Sequence, residues 1–460
     1  MNIMNDKHTD IIVIGGGTAG LNVARNANAR GMTVRVIEAT KPGGDCLWWT
    51  CLPTKLLLES AGILKTATDA GNYGIFCEVI GFDYASINAR KTRILADLAN
   101  NCSPEKLADE GILFTKGKAK FIDSHTIGVG ADSFTADYIV ISVGAHPTFP
   151  PIPGLMDIKP ITYMHAISQP KLPESITIIG GGAVGCEFAL IYARFGVKVV
   201  LLEIANRLLP MEDADCGIAA ADILTKAGVK VETAANILRV ESAENGKAVV
   251  VYKDGIEETI IANEILVATG RRPRLDGMNV EAAGLSVERG KLQVDESLRT
   301  IIPHIFVCGD ATGGRYQFYS TAEAEGRHVG INIGNENTVK FSDSIVPRAT
   351  YLSPELAGVG MTEDQCKDME GIAVAKVSYS SCDRAAISGE IEGFVKLVAN
   401  INTGKILGGF VAGPHASMLV QEIALIIKTG ISIGDIADMM QVYPSYHDPL
   451  RDCARLLLLN

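Results

Sequence analysis

Asp10-Ile11-Ile12-Val13-Ile14-Gly15-Gly16-Gly17-Thr18-Ala19-Gly20 reads DIIVIGGGTAG, a short apolar strand running straight into a glycine-rich turn. An amphipathic segment follows over Leu21–Arg30, then a second strand, Thr33–Ile37, ending at Glu38. Glycines 15, 17 and 20 fit G-x-G-x-x-G, with an acid 18 residues after the last of them. The spacing has a physical reading. Gly15 allows a tight turn, Gly17 lets backbone N–H groups approach a pyrophosphate, and Gly20 lets helix and strand pack closely. Glu38 can accept hydrogen bonds from ribose hydroxyls, and the helix N-terminus favours the phosphates. Strand, turn, helix and distal acid all agree on a dinucleotide site.

The unit recurs. Ile176–Ile179 leads into Gly180, Gly182 and Gly185, and the strand VKVVLL ends at Glu203, again 18 residues on. Each copy closes on a strand and a glycine–proline turn, IVISVGAHP (Gly144, Pro147) and ILVATGRRP (Gly270, Pro273). Gly15 to Gly144 is 129 residues and Gly180 to Gly270 is 90, so the first copy carries 129 − 90 = 39 more. Two dinucleotide sites on one chain suggest electrons passing between two dinucleotides. A later segment, HIFVCGDATGG, sets Gly309 and Asp310 after an apolar strand, where a carboxylate could bind a ribityl chain and so point to a flavin.

The extra stretch of the first copy opens with Gly43–Lys55, GGDCLWWTCLPTK, in which Cys46 and Cys51 enclose the chain's only two tryptophans. On a regular helix, positions five apart sit about 140° round the axis and their Cα atoms about 8–9 Å apart. That exceeds ordinary disulfide reach, so a bridge here requires a distorted or looped segment and should be easily reduced. Lability suits a pair that cycles between disulfide and dithiol. The alternative is a core cluster of two buried thiols and two indoles. Zinc is the poorer reading, because no second Cys/His pair has ligand spacing, and no metal is expected. The other eight cysteines (Cys77, Cys102, Cys186, Cys216, Cys308, Cys366, Cys382 and Cys453) are read as small buried hydrophobes.

At 460 residues the chain exceeds a single core, and 47% hydrophobic with 21% charged residues is ordinary for a globular protein. A net charge of −11 argues against nucleic acid or an anionic membrane as the main partner. No apolar run reaches membrane-spanning length, and MNIMNDKHTD lacks a signal-peptide pattern, so a cytoplasmic location is expected. From about Val346, strand-like runs (IAVAKVSY, GFVKLVAN, ILGGFVAG) give way to helical ones (SMLVQEIALIIKTG, IGDIADMM). The expected architecture is α/β: two Rossmann-like dinucleotide-binding domains plus a C-terminal α+β interface domain. The expected boundaries are 1–150 for the first nucleotide domain with the cysteine pair, 151–272 for the second, 273–345 for a return to the first, and 346–460 for the interface domain.

GGGTAG, C-x4-C followed by LPTK, GGGAVGCEF, ATGRRP and CGDATGG together resemble the pyridine nucleotide–disulfide oxidoreductases, which include lipoamide dehydrogenase, glutathione reductase and mercuric reductase. The resemblance implies FAD at the first glycine motif and at Asp310, NAD(P)H at the second, and a homodimer. By it, Cys46 is the interchange thiol, Cys51 the thiol against the flavin that forms the charge-transfer thiolate, and Lys55 a cation near the flavin paired with Glu187. It also implies a disulfide acceptor, with a lipoyl-bearing protein among the candidates, or a thiophilic one. The carboxylate of Glu203 accepts ribose hydroxyls and repels a 2′-phosphate, so NAD(H) is expected over NADP(H), although Arg207 stands four residues on.

Two departures stand out. Tyr443 and Asp448 occupy the places of the His and Glu that act as acid/base in disulfide-reducing relatives, at the partner subunit's site. Tyrosine, with an ordinary pKa near 10, is a poor base at neutral pH, which argues against efficient dihydrolipoamide oxidation. A tyrosine is found near this position in mercuric reductases, but the terminal ARLLLLN lacks their cysteine pair. His447 reads as an exposed neighbour rather than a substitute base. Second, Trp48-Trp49-Thr50 replaces the relatives' Asn-Val-Gly, and the indoles would either narrow the approach to the pair or fill the core. Two rival functions stay open: a flavin-only NADH:quinone or oxygen reductase with bystander cysteines, and a non-enzymatic nicotinamide-sensing scaffold.

Overall fold

The run IIVI forms the middle of β1 (His8–Ile14), whose apolar residues are buried on both faces of a parallel sheet. The computed structural model describes residues 7–253, 255–335 and 339–459. From β1 the chain enters α1 (Thr18–Asn28), returns through β2 (Val34–Glu38), and then forms a short helix, α2 (Gly44–Trp48), and a long one, α3 (Cys51–Asp69).

Two compact units divide the chain. One takes residues 1–54, 86–148 and 271–343; the other takes 55–85, 149–270 and 344–460. In the first, a seven-stranded sheet runs in the order Leu113–Lys116, β2, β1, Asp132–Ile141, Thr126–Val129, Ala119–Phe121. Ile305–Val307 also pairs in parallel with Asp132–Ile141, with Ile305 opposite Ile139 and Val307 opposite Ile141. This late strand carries Gly309-Asp310 to the carboxyl edge of the sheet, the edge at which Gly15 leaves β1. The two closing turns also meet, since Ala145–Pro147 pairs antiparallel with Arg271–Pro273. Against α1 lies the helix Tyr319–Asn332, so close that a Cβ on Gly326 would fall 2.3 Å from the Ala19 carbonyl oxygen.

The second unit repeats the nucleotide unit. It has β3 (Ser175–Ile179), α4 (Ala183–Arg194) and β4 (Lys198–Leu202), with the sheet order Lys230–Glu232, β4, β3, Glu264–Val267, all parallel. A three-stranded antiparallel sheet (Asn236–Ala243, Gly246–Lys253, Ile256–Ala262) precedes its last strand. The C-terminal part of the unit is a five-stranded antiparallel sheet in the order Arg348–Thr350, Glu355–Gly360, Lys405–Gly413, Phe394–Asn400, Ile372–Ser378. Helices α5 (Ala416–Thr429) and α6 (Asp448–Leu457) pack on it through a core that includes Val395, Val411, Ile423, Leu450 and Cys453. The sequence periodicity anticipated the strands over 372–413 and the helices after them. It missed the first two strands and α6, although Leu450, Cys453, Ala454 and Leu457 stand at helical spacing and are buried.

Two expectations are corrected here. Cys77 is exposed, not buried, and donates its thiol proton to the Ala67 carbonyl at 3.2 Å; the other seven scattered cysteines are buried. The reason is its place beyond α3 in a segment that leaves Ile75, Phe76 and Ile80 exposed as well. His447 is not an exposed neighbour. Its side chain is 19% exposed and its Nε2 bonds Glu422 of α5. No described helix is long and apolar enough to cross a membrane.

Candidate active site and dinucleotide cradles

The two glycine turns are nearly superposable in their chemistry. Gly15 and Gly180 have φ of +109° and +112°, in the region open to glycine. A Cβ on Gly20 would lie 2.0 Å from the Gly15 carbonyl oxygen, and one on Gly185 1.9 Å from that of Gly180. Each helix begins at a glycine, Gly17 or Gly182, with no side-chain cap, so the first-turn amides are left for a ligand. The acids at the strand ends do the same work in both copies. Glu38 accepts from the Gly16 N–H at 2.8 Å and the Thr40 N–H at 2.7 Å. Glu203 accepts from the Gly181 N–H at 2.6 Å and the Ala205 N–H at 2.8 Å. Each acid thus fixes the middle glycine of its own turn. Bare N-termini, close-packed glycines and an acid at the strand end are what a dinucleotide requires, and the donor set fits one in each copy.

In the first unit Asp310 is half-buried, and desolvation pushes its carboxyl above the ordinary carboxylate range while Arg271 opposes the shift. Arg271 bonds Asp310 at 2.5 Å, Asp45 at 2.7 Å and the Ala145 carbonyl at 3.3 Å, so one guanidinium ties the ribityl-candidate acid to the residue before Cys46. Behind it, the Gly309 N–H donates to the buried Glu325 at 2.6 Å. Burial raises the Glu325 carboxyl to about 8. Sequence reasoning missed both residues. Arg271 was in view, as the first arginine of ATGRRP; Glu325 sits in a helix with no motif. Gly144 and Gly270 occupy the turns after the closing strands, with φ of +70° and +115°.

Cys46 lies in α2 and Cys51 begins α3, and the helix breaks between them at Trp49, with φ −133°. Both Trp49 and Thr50 donate their N–H to the Asp45 carbonyl at 2.8 Å, which shortens the path between the cysteines. Their Sγ atoms come within 2.8 Å. The distorted segment that five-residue spacing demanded is present. Cys51 sits at the N-terminus of a 19-residue helix, whose dipole favours a thiolate. The Cys46 thiol is pushed well up, first by its hydrogen bond with Cys51 and then by burial. The tryptophans separate in role. Trp48 is tethered, its indole N–H donating to the Pro42 carbonyl at 2.7 Å and its ring lying under Lys41 at 4.7 Å. Trp49 is half-buried beside the pair.

In the second unit Lys55, four residues after Cys51 in α3, bonds both oxygens of Glu187 at 2.9 and 2.8 Å. Glu187 is buried and also accepts from the Tyr351 N–H at 3.0 Å, while the Tyr351 ring lies 4.4 Å from Lys55 Nζ. No local pattern marked Tyr351. Tyr443 is 70% exposed; its hydroxyl bonds Asp383, and that bond raises its pKa. Asp448 is buried and accepts from the Ser445 N–H at 3.3 Å. No hydrogen bond joins Tyr443 to Asp448 among the described residues. Arg207 turns to Asp364 at 3.8 Å and to the Glu212 carbonyl at 3.4 Å.

Residues 9–326 match the family profile of pyridine nucleotide-disulphide oxidoreductases, and 346–453 match the dimerisation domain of the same family. Over 98% of this chain and 98% of its own length, a dihydrolipoyl dehydrogenase of Bacillus subtilis (strain 168) is 33% identical. A mercuric reductase of Bacillus cereus is 32% identical over 96% of this chain and 70% of its own. Among solved structures, the HOCl-induced flavoprotein disulfide reductase RclA from Escherichia coli superposes with a TM-score of 0.86 at 28% identity, over 97% of this chain and 99% of that one. The chain belongs to the pyridine nucleotide–disulphide oxidoreductases, enzymes that use FAD and NAD(P)H with a redox-active disulfide centre.

Proposed function

We propose that the protein takes electrons from NADH and delivers them through Cys46 and Cys51 to a disulfide or soft thiophilic acceptor. The observation that carries this reading is the 2.8 Å approach of the two sulfurs across a broken helix. FAD, when bound, supplies two-electron exchange between nicotinamide and disulfide. The protein's own groups do the rest. Gly15, Gly17, Gly20 and Glu38, with Asp310, would hold the FAD; Gly180, Gly182, Gly185 and Glu203 would hold the nicotinamide dinucleotide. Lys55, fixed by Glu187, keeps a positive charge on α3 one turn beyond Cys51. Glu203 would favour NADH by repelling a 2′-phosphate, and the Arg207 guanidinium lies 3.8 Å from the Asp364 carboxylate.

The dithiol then works by exchange. The Cys46 thiolate attacks one sulfur of a disulfide acceptor and expels the first thiol. The Cys51 thiolate next attacks Cys46 Sγ, expels the second thiol and closes the disulfide, so two electrons and two protons have passed to the acceptor. With a tyrosine at 443 whose proton is held more tightly than usual, base catalysis of thiol oxidation is weak. That favours acceptors with acidic leaving thiols, or soft metal ions, over dihydrolipoamide oxidation. The test is a panel of lipoamide, an aromatic disulfide, Hg(II), Cu(II) and a quinone, run with wild type and Cys51→Ser. The reading expects disulfide and metal reduction to fall at least 100-fold in the variant. Unchanged turnover of every acceptor in Cys51→Ser would leave the flavin-only quinone reductase in its place.

A further inference from the structure

The segment between the cysteines holds a hydroxyl where relatives of this family carry the glycine of Asn-Val-Gly. Thr50 is fixed at both ends. Its N–H donates to the Asp45 carbonyl at 2.8 Å, and its own carbonyl accepts from the Thr54 hydroxyl at 2.6 Å and the Thr54 N–H at 3.2 Å. Those bonds span the break and place Thr50 Oγ1 3.6 Å from Cys51 Sγ, which in turn lies 2.8 Å from Cys46 Sγ. We propose that Thr50 is a positioning residue of the redox centre, its hydroxyl donating to Cys51 Sγ, the sulfur that becomes the thiolate against the flavin. The inference rests on the reading of Cys46 and Cys51 as the redox pair.

The surroundings make such a donor useful. The Cys46 thiol is held up by its bond to Cys51, by burial, and by the charges of Cys51 and Asp310; the Thr50 hydroxyl acts in the opposite direction. Of the other charged and titratable groups near the pair, Asp45 is tied to Arg271 at 2.7 Å and Asp310 to the same arginine at 2.5 Å. The Tyr319 phenol, on the helix packed against α1, is raised chiefly by burial and stays protonated. A neutral hydroxyl at hydrogen-bond range stabilises S⁻ over S–H without adding a charge that must itself be buried. Valine has threonine's shape and no donor; serine keeps the donor and loses the methyl.

The test reads thiol chemistry rather than turnover. The purified flavoprotein is reduced anaerobically with dithiothreitol, freed of reductant and alkylated with iodoacetamide between pH 5 and 9, and Cys46 and Cys51 are followed separately by mass spectrometry. Thr50→Val should move the midpoint of Cys51 up by about one pH unit, with about tenfold slower alkylation of Cys51 at pH 7. Thr50→Ser should remain within a few tenths of a unit of wild type. Coincident profiles for Thr50→Val and wild type would overturn the proposal, as would a Thr50→Ser shift as large as that of Thr50→Val. Flavin content and unfolding midpoints report whether each variant is folded, and Thr50→Ala, with the same expectation as valine, replaces it if it is not. Failure of the redox reading shows separately, as a wild-type protein in which NADH exposes no new thiol.

Discussion

Glu187 and Glu325 are both buried acids, and they are satisfied in opposite ways. Glu187 has a cation and a backbone N–H; Glu325 has a backbone N–H and burial alone. Removing the cation from Glu187 strands a buried carboxylate. Lys55 is a third exposed, so Lys55→Met should cost about 2 kcal/mol rather than the 3–5 of a fully buried pair, seen as a lower urea midpoint. Glu325 predicts a pH dependence. Its carboxyl titrates near 4.5 when unfolded and near 8 when folded. Between those values the folded state holds a proton that the unfolded state has released, so its contribution to stability is full below about 4.5 and is lost as pH rises through about 8. Glu325→Gln keeps an acceptor for the Gly309 N–H and removes the titration. The variant should therefore gain on wild type in urea midpoint as pH goes from 5 to 8. A constant difference would show that Glu325 is already ionised in the fold.

At the scale of elements, the legible parts were those in which backbone geometry dictates residue type. A turn that places a carbonyl 2 Å from a neighbour's Cβ position must be glycine, so both nucleotide units were readable from Gly15, Gly20, Gly180 and Gly185. The break between α2 and α3 was readable because five-residue spacing cannot bring two sulfurs together on a regular helix. What stayed hidden is held by long-range pairing. Nothing local says that Arg271 reaches Asp45, that Tyr351 backs Glu187, or that Glu422 meets His447. The same physics separates two predictions. Gly20→Ala should abolish flavin retention, while Gly185→Ala should keep bound flavin and lose NADH binding, as read by flavin absorbance and an NADH titration. Lys396 is the clearest structural tie. Buried, it bonds Asp213 at 2.9 Å and Asp215 at 2.8 Å, joining the helix Ala214–Lys226 to the C-terminal sheet. Lys396→Met leaves Asp213 buried without its cation and should cost about 3 kcal/mol in thermal or urea unfolding.

For the whole molecule, the segment matched to the family's dimerisation domain exposes Met440, Val442 and Tyr443, an apolar strip near its C-terminal end. The matched dimerisation domain suggests a homodimer that would cover it; a Met440→Glu, Val442→Glu double variant should then sediment as monomer at concentrations where wild type sediments as dimer. The account as a whole turns on whether electrons reach the cysteines. Anaerobic addition of NADH to the oxidised flavoprotein, quenched with iodoacetamide and mapped by mass spectrometry, decides it. The account predicts that Cys46 and Cys51 become alkylated together, two thiols per chain, with the eight other cysteines unchanged. Flavin reduction that leaves both cysteines as unreactive as before would contradict it.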